Sequence, residues 1–252
     1  MFQKRTILQA TLSVHNMNIV YIFLILLGTL VFPVVATSQQ SQSVNYYPVI
    51  KSFDLKKLWH ADSIQIEGDG ENMPFPEPLG YIGDNYQRFY IHYSSVVKSS
   101  AYTYKVTGKT MVKGNICRFS GTIRVVKATL YEESNDPRYK QGSLTCAITF
   151  YEDSTQPSTG IIKGRLTTDF CLNSKGNISY NALMAVADGY YNNQCEATWT
   201  SYKTGKSKKC NWGDYRIPDC KDLDVGAGVF IANEKYIRSG WGEFEEDREW
   251  WK

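Results

Sequence analysis

Strict alternation of apolar and polar residues, repeated in short runs between turn residues, restricts this chain more than any other feature. From Ile162 to Leu172, one face holds Ile162, Gly164, Leu166, Thr168, Phe170 and Leu172, and the other holds Lys163, Arg165 and Asp169. Leu144, Cys146, Ile148 and Phe150 repeat the pattern. A period of two is that of a strand with one face on a core and one in water. Further strands are predicted at 87–98, 102–113, 116–133, 177–184, 195–203 and 207–217. Turn residues separate them, as in Ser134–Pro137, Asn173–Gly176 and Lys203–Lys206. Within 116–133 the alternation slips at Val125–Val126, where a bulge restores it. The expectation is an all-β domain over 86–220, an antiparallel up-and-down barrel or sandwich of about eight strands.

The N-terminus bears on compartment. Ile19 to Val35 carries no charge, Lys4 and Arg5 precede it, and no acidic residue comes before Asp54. That is the layout of a secretory signal, a signal helix within residues 1–38, with Ala36 and Ser38 suited to cleavage. The alternative is an uncleaved anchor through residues 19–35. The run is near the lower limit of the roughly 17–25 residues a spanning helix needs, and Pro33 favours cleavage. The body is therefore expected to be secreted, extracellular or periplasmic, touching a membrane only through residues 19–35 if they are retained. Residues 39–85 read as a linker and lead segment, Ser/Gln-rich at first and then broken by Pro74, Pro76 and Pro78. Residues 221–252 read as an acidic tail with Trp241, Trp250 and Trp251, tryptophans expected to dock on their own domain.

Charge argues against nucleic acid as a partner: 28 Lys and Arg stand against 25 Asp and Glu. The six cysteines, Cys117, Cys146, Cys171, Cys195, Cys210 and Cys220, permit disulfides in an oxidising compartment. Cys210 and Cys220 flank a short loop and are the best candidate pair; buried free thiols are the alternative. No metal site or cofactor is expected. There is no C-x-x-C, and only His60 and His92 remain after processing. His92, between Ile91 and Tyr93, reads as a structural histidine in a strand. Gly108-Lys109-Thr110 and Gly205-Lys206-Ser207 resemble the end of a P-loop, but each lacks the upstream glycine and the helix. Glu67, Asp69 and Glu71 lack the calcium-loop pattern and read as a solvated loop. Asn177-Ile178-Ser179 fits a glycosylation sequon.

An exported up-and-down barrel of this kind resembles the calycin group, lipocalins and avidin-like proteins, over roughly 87–217. The nearest match to that group's G-x-W motif is Ala197-Thr198-Trp199, and the run Trp212–Pro218 looks similar to uncharacterised exported bacterial proteins. The resemblance implies a barrel that is either filled or holds one small ligand. The interior set is Cys117, Phe119, Ile123, Leu144, Ile148, Phe150, Leu166, Phe170 and Trp199, and Phe119, Ile148, Phe150, Phe170 and Trp199 are the candidate ligand-binding residues. The functional expectation is a non-enzymatic exported binding protein for a small apolar ligand or a surface partner. An extracellular hydrolase acting on a polymer is the first alternative, with Asp169, Asp188, Glu196 and Asp214 as candidate carboxylates. A membrane-anchored structural module is the second. An outer-membrane barrel is disfavoured, because Arg124, Lys163 and Arg165 fall on the outward face.

Overall fold

The computed structural model describes residues 43–66, 71–242 and 249–252, so the expected signal within 1–38 lies outside the described residues, as do Glu67 and Asp69. The alternating runs become strands. In chain order the elements are β1 (Ser43–Asn45), one helical turn α1 (Tyr47–Ile50), β2 (Ser63–Gln65), β3 (Asn72–Pro74), β4 (Leu79–Ile82) and β5 (Gln87–Arg88). The long strands follow: β6 (Tyr90–Lys98), β7 (Thr103–Val112), β8 (Asn115–Tyr131), β9 (Tyr139–Glu152) and β10 (Gly160–Asn173). β11 (Ile178–Tyr180), β12 (Asn192–Ser201) and β13 (Ser207–Asp214) complete the set. The fold is all-β, built on one large curled antiparallel sheet that forms a half-barrel, with spatial order β5-β4-β13-β12-β10-β9-β8-β7-β6. β1 adds to β8, β11 adds to β10, and β2 and β3 pair separately. Among the described residues no helix is long and apolar enough to cross a membrane.

Two features bend the sheet. The first is the bulge: pairing of β8 with β9 shifts between Val125 and Lys127, leaving Val126 as the extra residue. The second is a set of phenylalanines folded over glycines of the neighbouring strand. Phe119 pairs with Gly108, Phe150 with Gly121, and Phe170 with Gly142. In each pair a Cβ on the glycine would run into the phenylalanine, its ring or its Cα, at 2.5–2.7 Å and into a backbone carbonyl at 2.1–2.4 Å. Glycine lets the backbones approach, and the ring fills the hollow of the curve. Three candidate ligand-lining residues thus serve as fillers: Phe119, Phe150 and Phe170 are buried in the main core, with Ile148 beside them.

The expected linker and lead segment contributes heavily to that core. Ile50, Leu55, Leu58, Trp59 and Ile64 are buried in the main cluster, and the segment belongs to the same compact unit, Ser41–Lys252, as the sheet. The prolines of 74–78 do not keep it apart. They lead directly into β4, which lies beside β13. Trp59 stands edge-on to Tyr104 at 5.1 Å, and the Tyr104 hydroxyl accepts the Leu55 N–H at 2.9 Å. A second, smaller cluster covers the other face of β4 and β13, where Leu79 and Tyr81 meet Ile217, Cys220, Leu223 and Trp241.

The expected Cys210–Cys220 bridge is not formed, and the six cysteines are buried without a disulfide among the described residues. Cys210 points into the main core, while Cys220 belongs to the cluster on the opposite face, so the sheet lies between them. Cys146 and Cys195 both flank Leu166, one strand away on either side. Two strand spacings are about 9–10 Å, beyond the reach of a disulfide.

Candidate functional site

A large cleft among the described residues stands where β13 ends and β6 begins. Its volume is about 1030 Å³, at the top of the range of roughly 300–1,000 Å³ usual for small-molecule sites. The floor comes from Trp59, Tyr93 and Trp212, the walls from segments 73–79, 185–190 and 228–230, and the rim includes His60, Glu77 and His92. Trp250 and Trp251 of the tail also line it. Trp251 stacks on His92 at 4.2 Å with 6° between planes, and its carbonyl accepts from Lys109 at 2.5 Å. Trp241 is buried and donates to the Tyr86 carbonyl at 2.7 Å. His92 Nδ1 lies 2.9 Å from Glu77 Oε1.

A directed chain of hydrogen bonds runs beneath the floor. The Trp59 indole N–H donates to Thr168 Oγ1 at 2.8 Å, and that hydroxyl donates to Asn193 Oδ1 at 2.8 Å. Asn193 Nδ2 then donates to the Leu58 carbonyl at 3.0 Å and to Asp214 Oδ2 at 2.7 Å. Asp214 Oδ2 also accepts from the Tyr180 hydroxyl at 2.9 Å. Local backbone geometry sets this up. Asn193 has φ 45° inside an irregular pairing of β12 with β13, and Tyr215, directly after Asp214, has φ 63°. Left-handed conformations at such residues are uncommon and concentrate where a site constrains the chain.

Three buried polar atoms have no hydrogen-bond partner among the described residues: Tyr93 Oη, Asp214 Oδ1 and Arg216 Nε. All three residues line this cleft. The Trp212 indole N–H lies near Tyr93 Oη without reaching hydrogen-bond geometry. Orphaned buried polar atoms cost about 1–3 kcal/mol each, so three at one cleft single it out as the candidate site. Burial pushes the Asp214 carboxyl up to about 8, against the opposing pull of Tyr180 and Asn193 and with a further push from Glu77. Burial also holds His60 below the usual histidine range. Arg216 latches the wall: its guanidinium donates to Asp224 at 2.6 Å and to the carbonyls of Gly226, Ala227 and Gly228.

None of Phe119, Ile148, Phe150, Phe170 and Trp199 lines the cleft. Trp199 is half-buried and its indole donates to Glu152 Oε2 at 2.8 Å, beside Thr110 and the Gly160 N–H on the same carboxylate. Of the four candidate carboxylates only Asp214 lines the cleft; Asp188 and Glu196 are exposed, and burial raises Asp169 elsewhere on β10. His92, read as structural, stands on the rim. Tyr93, Asn193 and Arg216 were not singled out from the sequence. Two sequence signals lie near them: the polar cluster Asn192-Asn193-Gln194 at the start of a strand, and the run Trp212–Pro218, which contains Asp214 and Arg216. No family model, no curated protein and no solved structure matches this chain.

Proposed function

We propose that the chain is an exported, non-enzymatic binding protein that holds a small, largely apolar ligand in the cleft between β6, β13 and the 185–190 and 228–230 segments. The carrying observation is the convergence of three orphaned buried polar atoms on one cleft of about 1030 Å³. Aromatic walls with few placed polar groups are what a small-molecule site requires. We read the half-barrel as an up-and-down barrel of calycin type in which residues 87–98 act as one strand, pairing β4 through β5 and β7 through β6. The ligand then sits at the seam of the barrel rather than among Phe119, Phe150 and Phe170, which fill its interior. Export through residues 1–38 is part of the proposal, and the mass of the protein released by the cell tests it.

N-phenyl-1-naphthylamine, a neutral dye whose emission rises in apolar sites, tests the binding reading. One saturable site is expected in the cooperatively melting protein. Ala187→Trp, which fills the cleft from its wall, should abolish it, and Phe150→Leu in the packed interior should leave affinity unchanged. Absence of binding, or full binding by Ala187→Trp, overturns the reading.

One observation supports a hydrolase reading as second choice. A carboxyl held up to about 8 beside Glu77 has the property of a general acid. Release of reducing ends from polysaccharides, lost in Asp214→Asn, would establish it; no turnover on any polymer would dismiss it.

A further inference from the structure

We infer that the cleft selects a neutral aromatic ligand whose carbonyl oxygen accepts hydrogen bonds from Asp214 and Tyr93; this rests on the cleft being the ligand site proposed above. The hydrogen-bond chain dictates what Asp214 can offer. Asn193 Oδ1 takes the Thr168 hydroxyl proton, which turns Nδ2 toward Asp214. Oδ2 therefore receives two donors, from Asn193 and Tyr180, and has no room for a proton of its own. A proton on this carboxyl resides on Oδ1, the oxygen without a partner among the described residues. In that form Oδ1–H is a donor at the cleft. Tyr93 supplies a second unpartnered hydroxyl, near enough for its ionisation to respond to Asp214. Two donors in the lining of one cleft suit one carbonyl oxygen with two lone pairs.

Charge decides between a carbonyl and a carboxylate. Glu77 and Asp62 line the same cleft, and Glu77 already disfavours a charge on Asp214. Of the cleft's cations, Arg216 is paired with Asp224, and Arg88 lies over the rings of Tyr90 and Trp241 at 4.5 and 4.4 Å. A ligand anion would add repulsion in a desolvated site, while a neutral carbonyl adds none. The aromatic body follows from the lining, which includes Trp59, Tyr93, Trp212 and Trp251. Both donor oxygens are sealed from solvent in the free protein, so binding is accompanied by movement of the side chains covering them.

The titratable groups facing Asp214 are Tyr180 of β11, Tyr190 before β12, Tyr93 of β6, the adjacent Tyr215, and Glu77 before β4. Burial raises all four tyrosines, Tyr215 to about 12, so they stay neutral where Asp214 titrates. Raising the pH removes the Oδ1 proton, turning a donor into a charged acceptor that repels a carbonyl.

The test compares prodan, a dimethylaminonaphthyl ethyl ketone whose emission reports hydrogen bonding to its carbonyl, with the same dimethylaminonaphthalene lacking the ketone. Near pH 7 the ketone should bind about tenfold more tightly, the worth of one to two net hydrogen bonds. The preference should fade by about pH 9.5, above the raised carboxyl. Asp214→Asn keeps both oxygen-side contacts and an N–H toward the cleft, so its preference should persist across that range. Tyr93→Phe should lower it at every pH. Equal binding of the two dyes, or a wild-type preference indifferent to pH, overturns the inference while leaving the cleft a ligand site. Failure of both dyes to bind counts against the binding function itself.

Discussion

Asp214 is one proton away from being a liability. Its folded-state proton is held more tightly than in the unfolded chain, because burial disfavours the anion. The sign follows. Its contribution to stability is fully present below the unfolded carboxyl range, near pH 4, and is lost as pH rises through about 8. Asp214→Asn, nearly isosteric and unable to ionise, should therefore match wild type near pH 4 and out-melt it near pH 9. The expected gap is about 4 °C or more, since each kcal/mol moves a domain of this size by about 2–4 °C. Calorimetry across that range checks it; a gap that is constant or shrinks with pH would refute the assignment. The sequence placed Asp214 among four acidic residues but could not choose it. What distinguishes it is Asn193, three strands of packing and a tryptophan from the lead segment, none of which is local.

Individual elements were legible where one face meets water. Alternation located β9 and β10 and even the bulge at Val126, because the period of two survives wherever a strand separates core from solvent. It failed over 43–66, where burial comes from scattered single residues such as Leu55 and Trp59 that follow no period. It also failed over 177–184. Of that run, Ile178–Tyr180 pair with β10, and the chain beyond them leaves the sheet in turns before it reaches the cleft wall at Ala185. The Phe-over-Gly pairs show what alternation alone leaves open: an inward phenylalanine opposite glycine fills the curve of a sheet as readily as it would line a hollow. Gly121→Ala puts a methyl 2.1 Å from the Thr149 carbonyl, and should cost about 2–3 kcal/mol, the upper range for overpacking. Urea unfolding measures this, and a neutral outcome would count against the close packing. At the wall, Arg216→Lys exchanges a planar fork for a single ammonium. The segment 224–228 should then become sensitive to limited proteolysis while the sheet stays intact; an unchanged digestion pattern would show that the latch is dispensable.

Across the molecule, the thiols test the packing as a set. Burial raises Cys117 to about 11 and also raises Cys146, Cys195, Cys210 and Cys220. Buried, protonated thiols are poor nucleophiles. Alkylation of the native protein near neutral pH should leave its mass unchanged, and alkylation in denaturant should add six groups, one per cysteine. Fewer than six after unfolding would reveal a bridge. Cleft, rim and wall draw on segments far apart in sequence, from Trp59 to Trp251. That dispersal is why the barrel-like class could be read from local pattern and the site could not.

One feature of the topology reaches into how the chain is made. β4 precedes every long strand, yet its neighbour β13 is the last. As the polypeptide emerges, the buried sequence Leu79-Gly80-Tyr81-Ile82 must wait with one edge open until β6 through β12 have formed. Assembly is therefore gated by the final strand, and contacts this distant in sequence slow folding. An unfinished, sticky edge during synthesis is where a holding chaperone would act.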